Sequence, residues 1–174
     1  CSSDLQNAPK EELIDIIMER IYLDPVFRKT VENRLLPRGK SVSEQIDAFK
    51  RQIEEEMSLR HPDTTVLRSA CFNLKRAMST WSVYDILLAN IAIIRTIDNA
   101  LCNGAGMEDD SDFELSMEVE EARDNAIKKI QGSQLNAKEK EKICQILNDE
   151  LKIPLDVFGK DVFLEIIDAV QKAE

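Results

Sequence analysis

With 174 residues and 19.8 kDa, the chain is long enough to bury one hydrophobic core and short for two. A net charge of −10 and a pI near 4.7 argue against general affinity for a phosphate backbone, because such binding is driven largely by Lys and Arg neutralising phosphates. Apolar residues at 43%, charged residues at 32%, five Gly and five Pro suit helices joined by short turns better than a sandwich or barrel, and they argue against disorder.

Residues 1–9 read as a flexible tail ahead of a single helical domain over 10–174. The first residue, Cys1, has two readings. With Ser2 and Ser3 it could be the mature end of a bacterial lipoprotein whose Cys carries the lipid, or it could be the cut end of a longer protein.

Leu13, Ile16, Ile17 and Ile21 recur at helical spacing among acidic residues and predict a first amphipathic helix over 10–23. Asp24 before Pro25 predicts a stop and an immediate restart, since Asp can cap the next helix and Pro fits its first position. That second helix carries Val26, Phe27, Val31, Leu35 and Leu36 inward and ends at Pro37 to Gly39. Ser41 with Glu44 forms a capping box that opens a third helix, whose stripe is Val42, Ile46, Phe49, Ile53 and Met57. After Pro62, either Asp63 or Thr64 can cap a fourth helix bearing Val66, Leu67, Ala70, Cys71, Leu74 and Met78.

Ser82 and Asp85 resemble a second capping box ahead of the most apolar segment of the chain, about residues 83–102. Apolar side chains cover nearly its whole circumference, so it is expected at the centre, surrounded by the other helices. Its longest apolar run, Ile86 to Ile94 broken by Asn90, is less than half the roughly 20 residues that span a bilayer. Asn103, Gly104 and Gly106 end it. An acidic segment then opens a sixth helix, with Phe113, Leu115, Val119, Ala122, Ala126, Ile127 and Ile130 facing the core. Asn136 with Glu139 caps a seventh helix, and 161–172 forms the last. The expected fold is all-α, with roughly seven to eight helices in an α-hairpin stack or an orthogonal bundle around the central apolar helix.

One His in the chain removes much of the enzymatic repertoire. Di-iron bundles need Glu-x-x-His pairs and zinc proteases need His-x-x-x-His, and neither occurs here. Asp110, Asp112, Glu114 and Glu121 match positions of a calcium loop, but Leu115 stands where that loop needs Gly. His61, between Arg60 and Pro62, reads as a surface or capping residue. Cys71, Cys102 and Cys144 fall on apolar helical faces and are expected to be small buried thiols in a reducing, cytoplasmic setting. No catalytic residue, metal or cofactor is expected.

Two charged regions are candidates for partner binding. Glu108, Asp109, Asp110, Asp112, Glu114, Glu118 and Glu121, joined by Glu120, pass without a basic residue before Arg123 and create a field that a basic partner would sense. Arg28, Arg34, Arg38, Lys40, Lys50 and Arg51, with Lys29, form a modest basic patch that reads as a solvated face or as a surface for an acidic partner.

The run Lys10, Glu11, Glu12, Leu13, Ile14, then Asp24, Pro25, Phe27, Arg28 and Leu35, resembles the opening helix pair of an uncharacterised bacterial helical domain that often accompanies SWIM-type zinc fingers. The later run Asp109, Asp110, Ser111, Asp112, Glu114 and Leu115 is similar to that domain's acidic turn. The resemblance covers about a quarter of the chain and implies an α-hairpin stack acting as a binding or scaffold module. It implies no catalytic residues, and the zinc-finger ligands are missing here, so it carries no nucleic-acid role. The expected function is a non-catalytic protein–protein interaction module. The alternatives are an acidic inhibitor or immunity-type protein that blocks a basic toxin, and an envelope protein anchored in the lipid through Cys1.

Overall fold

The computed structural model describes residues 41–103 and 111–173, together with residues 17, 19, 20, 23, 24, 26 and 27. The chain divides into two compact units, Cys1–Lys40 and Ser41–Glu174. The tail over 1–9 and most of the first two expected helices lie outside the described residues, as does Cys1.

In the first unit the restart at Asp24 is formed as its sequence suggests. Its carboxylate accepts from the amides of Val26 and Phe27, each at 3.0 Å, and pairs with Arg20 at 3.0 Å. The Phe27 amide bond, helped by the Arg20 charge, holds the Asp24 carboxyl below the usual range despite some desolvation.

The described part of the second unit is all-α, with six α-helices and one short 3₁₀ turn. Helix α1, Val42–Met57, begins with the expected box: Ser41 Oγ accepts from the Glu44 amide at 3.2 Å, and the Glu44 carboxylate accepts from the Ser41 amide at 2.7 Å. Ile46, Phe49 and Ile53 are buried along its inner stripe. Glu56 is also buried, and it accepts from the Asp63 amide at 3.0 Å, joining the end of α1 to the cap of the next helix.

Helix α2, Thr64–Ala77, is capped by Asp63, whose carboxylate accepts from the Thr65 amide at 2.8 Å. Val66, Leu67, Ala70, Cys71 and Leu74 are buried on it, and Met78 follows on the 3₁₀ turn Met78–Thr80. Helix α3, Val83–Cys102, is the apolar segment. Its cap is half a box: Ser82 Oγ accepts from the Asp85 amide, but the shorter Asp side chain accepts from the Ser82 hydroxyl and not from its amide. Asn103 caps the far end at φ −100°, and Gly104 and Gly106 lie outside the described residues.

Helix α4, Ser111–Gln131, buries Leu115, Val119, Ala122, Ala126 and Ile130. Phe113 does not face the core as expected and is 71% exposed. The reason is helical phase, because two residues before Leu115 is about 200° around the helix. Helix α5, Ala137–Glu150, opens with the Asn136 and Glu139 box, at 3.0 and 2.9 Å, and buries Ile143 and Leu147. Helix α6, Asp161–Lys172, buries Phe163, Ile166, Ala169 and Val170.

The core runs through α3 and α4, which pack most extensively on each other. Helix α3 also meets α1 and α2, whereas α6 rests chiefly on α4 and α5. Helix α3 is buried all round over 89–94, as expected of the central helix, with α4 as its main neighbour and Leu88 only half-buried. Among the described residues no helix is long and apolar enough to cross a membrane.

Candidate functional site

Three members of the acidic segment lie on one side of α4 at positions i, i+4 and i+7, namely Glu114, Glu118 and Glu121. Helix α2 presents Arg68 and Lys75, seven residues apart and therefore on one of its own faces. The two rows interlock. Arg68 pairs with Glu114 at 3.2 Å and with Glu118 at 3.6 Å, and Lys75 Nζ donates to both Glu118 and Glu121 at 2.6 Å. Glu118 is only 8% exposed and sits between the two cations. Burial acts to lower the Lys75 pKa, but the bonds and charges of Glu118 and Glu121 together outweigh it and hold the ammonium above its ordinary value.

The ladder therefore joins two helices, and much of the acid read as partner-facing is balanced within the protein. Asp112 remains exposed near the start of α4, where its charge complements the positive end of the helix dipole. Glu108, Asp109 and Asp110 lie outside the described residues. The supposed calcium-loop positions from Asp112 to Glu121 are continuous helix, with Leu115 fully buried.

Apolar side chains flank the ladder. Phe72 stands between Arg68 and Lys75 in the α2 sequence and is 59% exposed. Phe113 and Met117, each preceding a ladder glutamate, lie one turn apart on α4 and are 71% and 45% exposed. Glu120 and Asp124 continue that outward side of α4 and are exposed, Asp124 pairing with its neighbour Arg123 at 2.8 Å.

Of the basic patch, Lys50 and Arg51 are exposed on α1, while Arg28, Arg34, Arg38 and Lys40 lie outside the described residues. Lys50 and Arg95 both line two open clefts between α1 and α3, of about 250 and 360 Å³, the larger also bordered by Glu150 of α5. Arg51 turns back on its own helix, its Nε donating to the Asp47 carbonyl at 3.3 Å.

Sequence reading missed the most heavily bonded polar groups. Arg95 donates to the Glu150 carboxylate at 2.6 Å, to the carbonyls of Ile153 and Pro154 at 2.7 and 3.1 Å, and to the Glu150 carbonyl. Its guanidinium also lies 5.1 Å from the centre of the Phe163 ring. Asp98, 3% exposed, accepts from the amides of Asp156, Val157 and Phe158 at 2.8, 2.9 and 3.1 Å. The signal was available, since Arg95 and Asp98 are the only charged residues beyond the first turn of the most apolar helix. Asn90, fully buried, donates to the Ile86 carbonyl and accepts from Asn125 at 3.3 Å, which ties α3 to α4.

The reactive residue types are spread out. Cys71 is buried, and burial with the Glu118 charge raises its thiol far above the usual range, so it is protonated and inert. Cys102, expected inside, is exposed because it lies in the last turn of α3, beyond the packed part of the helix. Cys144 is half-buried, and all three are free thiols. His61 is exposed. Among the described residues no three His, Cys, Asp or Glu side chains gather in a way that could hold a metal ion.

Comparison with known protein families, curated proteins and solved structures finds no match to this chain.

Proposed function

We propose that this chain is a non-catalytic helical interaction module that works by presenting a surface to another protein. One observation carries the reading: among the described residues of the second unit the buried charges are tied to structural partners, while large apolar side chains stand in solvent beside acids. Glu118 is tied to Lys75, Asp98 to three loop amides and Glu56 to the Asp63 amide. A catalytic acid or base works instead by reaching a substrate from a cleft with a tuned pKa. The α-hairpin stack implied by the resemblance to the domain that accompanies SWIM-type zinc fingers belongs to the same reading, with the α2 to α4 face as its working side.

A second reading is favoured by the sign of the charge. An acidic, helical protein of this size could act as an inhibitor or immunity-type partner of a basic toxin, occupying its cationic surface.

The test is affinity capture from the native host, followed by reconstitution with the purified partner. The module reading expects a complex of fixed stoichiometry in which the chain transforms nothing. A captured basic nuclease or toxin that loses activity in the complex would select the inhibitor reading. Failure to obtain any reconstituted complex, or turnover by the chain itself, would overturn the module.

A further inference from the structure

We infer that the outward side of the α2 to α4 ladder is a docking surface for a basic amphipathic segment of another protein. The inference deepens the module reading and rests on it. Helices with a core to bury normally turn residues such as Phe and Met inward, and here three of them point outward around one charged ladder. Phe72 comes from α2, while Phe113 and Met117 come from α4.

The charge around them fixes the kind of partner. Arg68 and Lys75 are already engaged by Glu114, Glu118 and Glu121, so this surface offers a partner few free cations. Asp112, Glu120, Glu121 and Asp124 are exposed along the first two-thirds of α4, where the cation Arg123 is taken up by Asp124 and Glu165, and Lys128 and Lys129 come only near its end. An acidic partner would be repelled over that length, and a purely apolar one would desolvate exposed acids such as Asp112 and Glu120. A segment with apolar residues at helical spacing and Lys or Arg beside them meets both demands: its apolar stripe covers Phe113 and Met117, and its cations reach Glu120 and Asp124. Because Glu118 and Lys75 hold α2 and α4 in register, the surface is formed before the partner arrives.

The experiment uses the full chain labelled with ¹⁵N and a synthetic helical peptide of about 18 residues with Leu on one face and Lys on the other. A scrambled peptide of the same composition is the control. The expected result is saturable binding of the patterned peptide, with amide shifts centred on Phe72, Phe113, Met117 and Glu120, and weaker binding as salt rises. The Phe113→Ser/Met117→Ser and Glu120→Lys/Asp124→Lys variants should each weaken it by about tenfold or more. Circular dichroism should show both variants folded, because all four side chains are exposed.

Equal binding of the scrambled peptide, or shifts centred on the Lys50 clefts, would overturn the inference. So would self-association abolished by Phe113→Ser/Met117→Ser, since the face would then be covered by a second copy. The two readings fail separately. A host partner still held by both variants removes this surface and leaves the module, whereas wild-type chain that forms no reconstituted complex removes the module.

Discussion

Arg95 and Asp98 stand one helical turn apart on α3 and hold successive stretches of the same loop with opposite charges. Arg95 takes the carbonyls of Glu150, Ile153 and Pro154, and Asp98 takes the amides of Asp156, Val157 and Phe158. A loop between two helices has backbone donors and acceptors without regular partners, and here one cation and one anion from the core helix supply many of them. The loop is thereby held in one shape while Ile153 and Val157 stay 64% and 51% exposed.

Removing the anion is the sharper perturbation. Asp98→Ala leaves three amides without their acceptor in a partly buried setting, and the expected loss is about 2–4 kcal/mol. Asp98→Asn keeps an acceptor oxygen and should lose about half as much. Urea unfolding followed by circular dichroism measures both. An Asp98→Ala protein as stable as the wild type would show that the loop is not held from α3.

Arg95→Lys keeps the charge and still should not restore the clamp. The guanidinium serves a carboxylate, three carbonyls and a ring face at once, and an ammonium has neither the planar fork nor the stacking surface. The expected cost is about 1–2 kcal/mol in the same unfolding experiment, with faster amide exchange over residues 151–158.

Helix caps were legible in the sequence because their partners lie two or three residues away. Ser41 with Glu44 and Asn136 with Glu139 formed as residue type and spacing suggest, and of the two candidates Asp63 and Thr64 it is Asp63 that caps, accepting from the Thr65 amide. The inner stripes of α1 and α2 were legible for the same reason, since a period of 3.6 is local. Phe113 was misplaced because the acidic start of α4 holds few apolar residues from which to set the phase, and it was grouped with Leu115 although the two point nearly opposite ways. The Arg95 and Asp98 clamp was not legible, because its partners lie 55 to 60 residues further along the chain. The acidic segment was legible as charge but not as structure. Nothing local says that Glu118 will meet Lys75 across 43 residues.

Cysteine labelling distinguishes two thiols that the sequence treated alike. Native protein exposed to iodoacetamide should be alkylated readily at Cys102 and not at Cys71, whose burial keeps it out of reach and protonated. Cys71 should be labelled only after unfolding in denaturant. Peptide mass mapping reads both, and alkylation of Cys71 under native conditions would contradict its place beneath the α2 to α4 ladder.

Gly159 has φ +31°, and a Cβ placed there would meet nothing within 4 Å. Substitution at this position therefore separates backbone strain from crowding. Gly159→Ala should cost about 1 kcal/mol through the left-handed backbone alone. The change should appear as a shift in the urea midpoint with an unaltered slope. No loss of stability would mean that the backbone relaxes to an ordinary conformation without disturbing the loop.

The Lys75 and Glu118 pair gives the clearest test of how α2 and α4 are joined. Glu118 is nearly buried, so Lys75→Met leaves its carboxylate with only the longer contact to Arg68. Breaking a buried pair from one side typically costs about 3–5 kcal/mol; the remaining Arg68 and the exposed Glu121 reduce the expectation to about 1–3 kcal/mol. Lys75→Met combined with Glu118→Leu removes both charges and should cost less than Lys75→Met alone, because no unpaired carboxylate remains. The pH dependence carries a fixed sign. A lysine held above its ordinary pKa in the folded state binds its proton more tightly there than in the unfolded chain. Its contribution is complete below a pH of about 10.4 and is lost as pH rises through the higher folded value. The stability gap between wild type and Lys75→Met should therefore be flat around neutrality and narrow in alkali. A gap that widened with rising pH would mean that burial, and not the two glutamates, controls this ammonium.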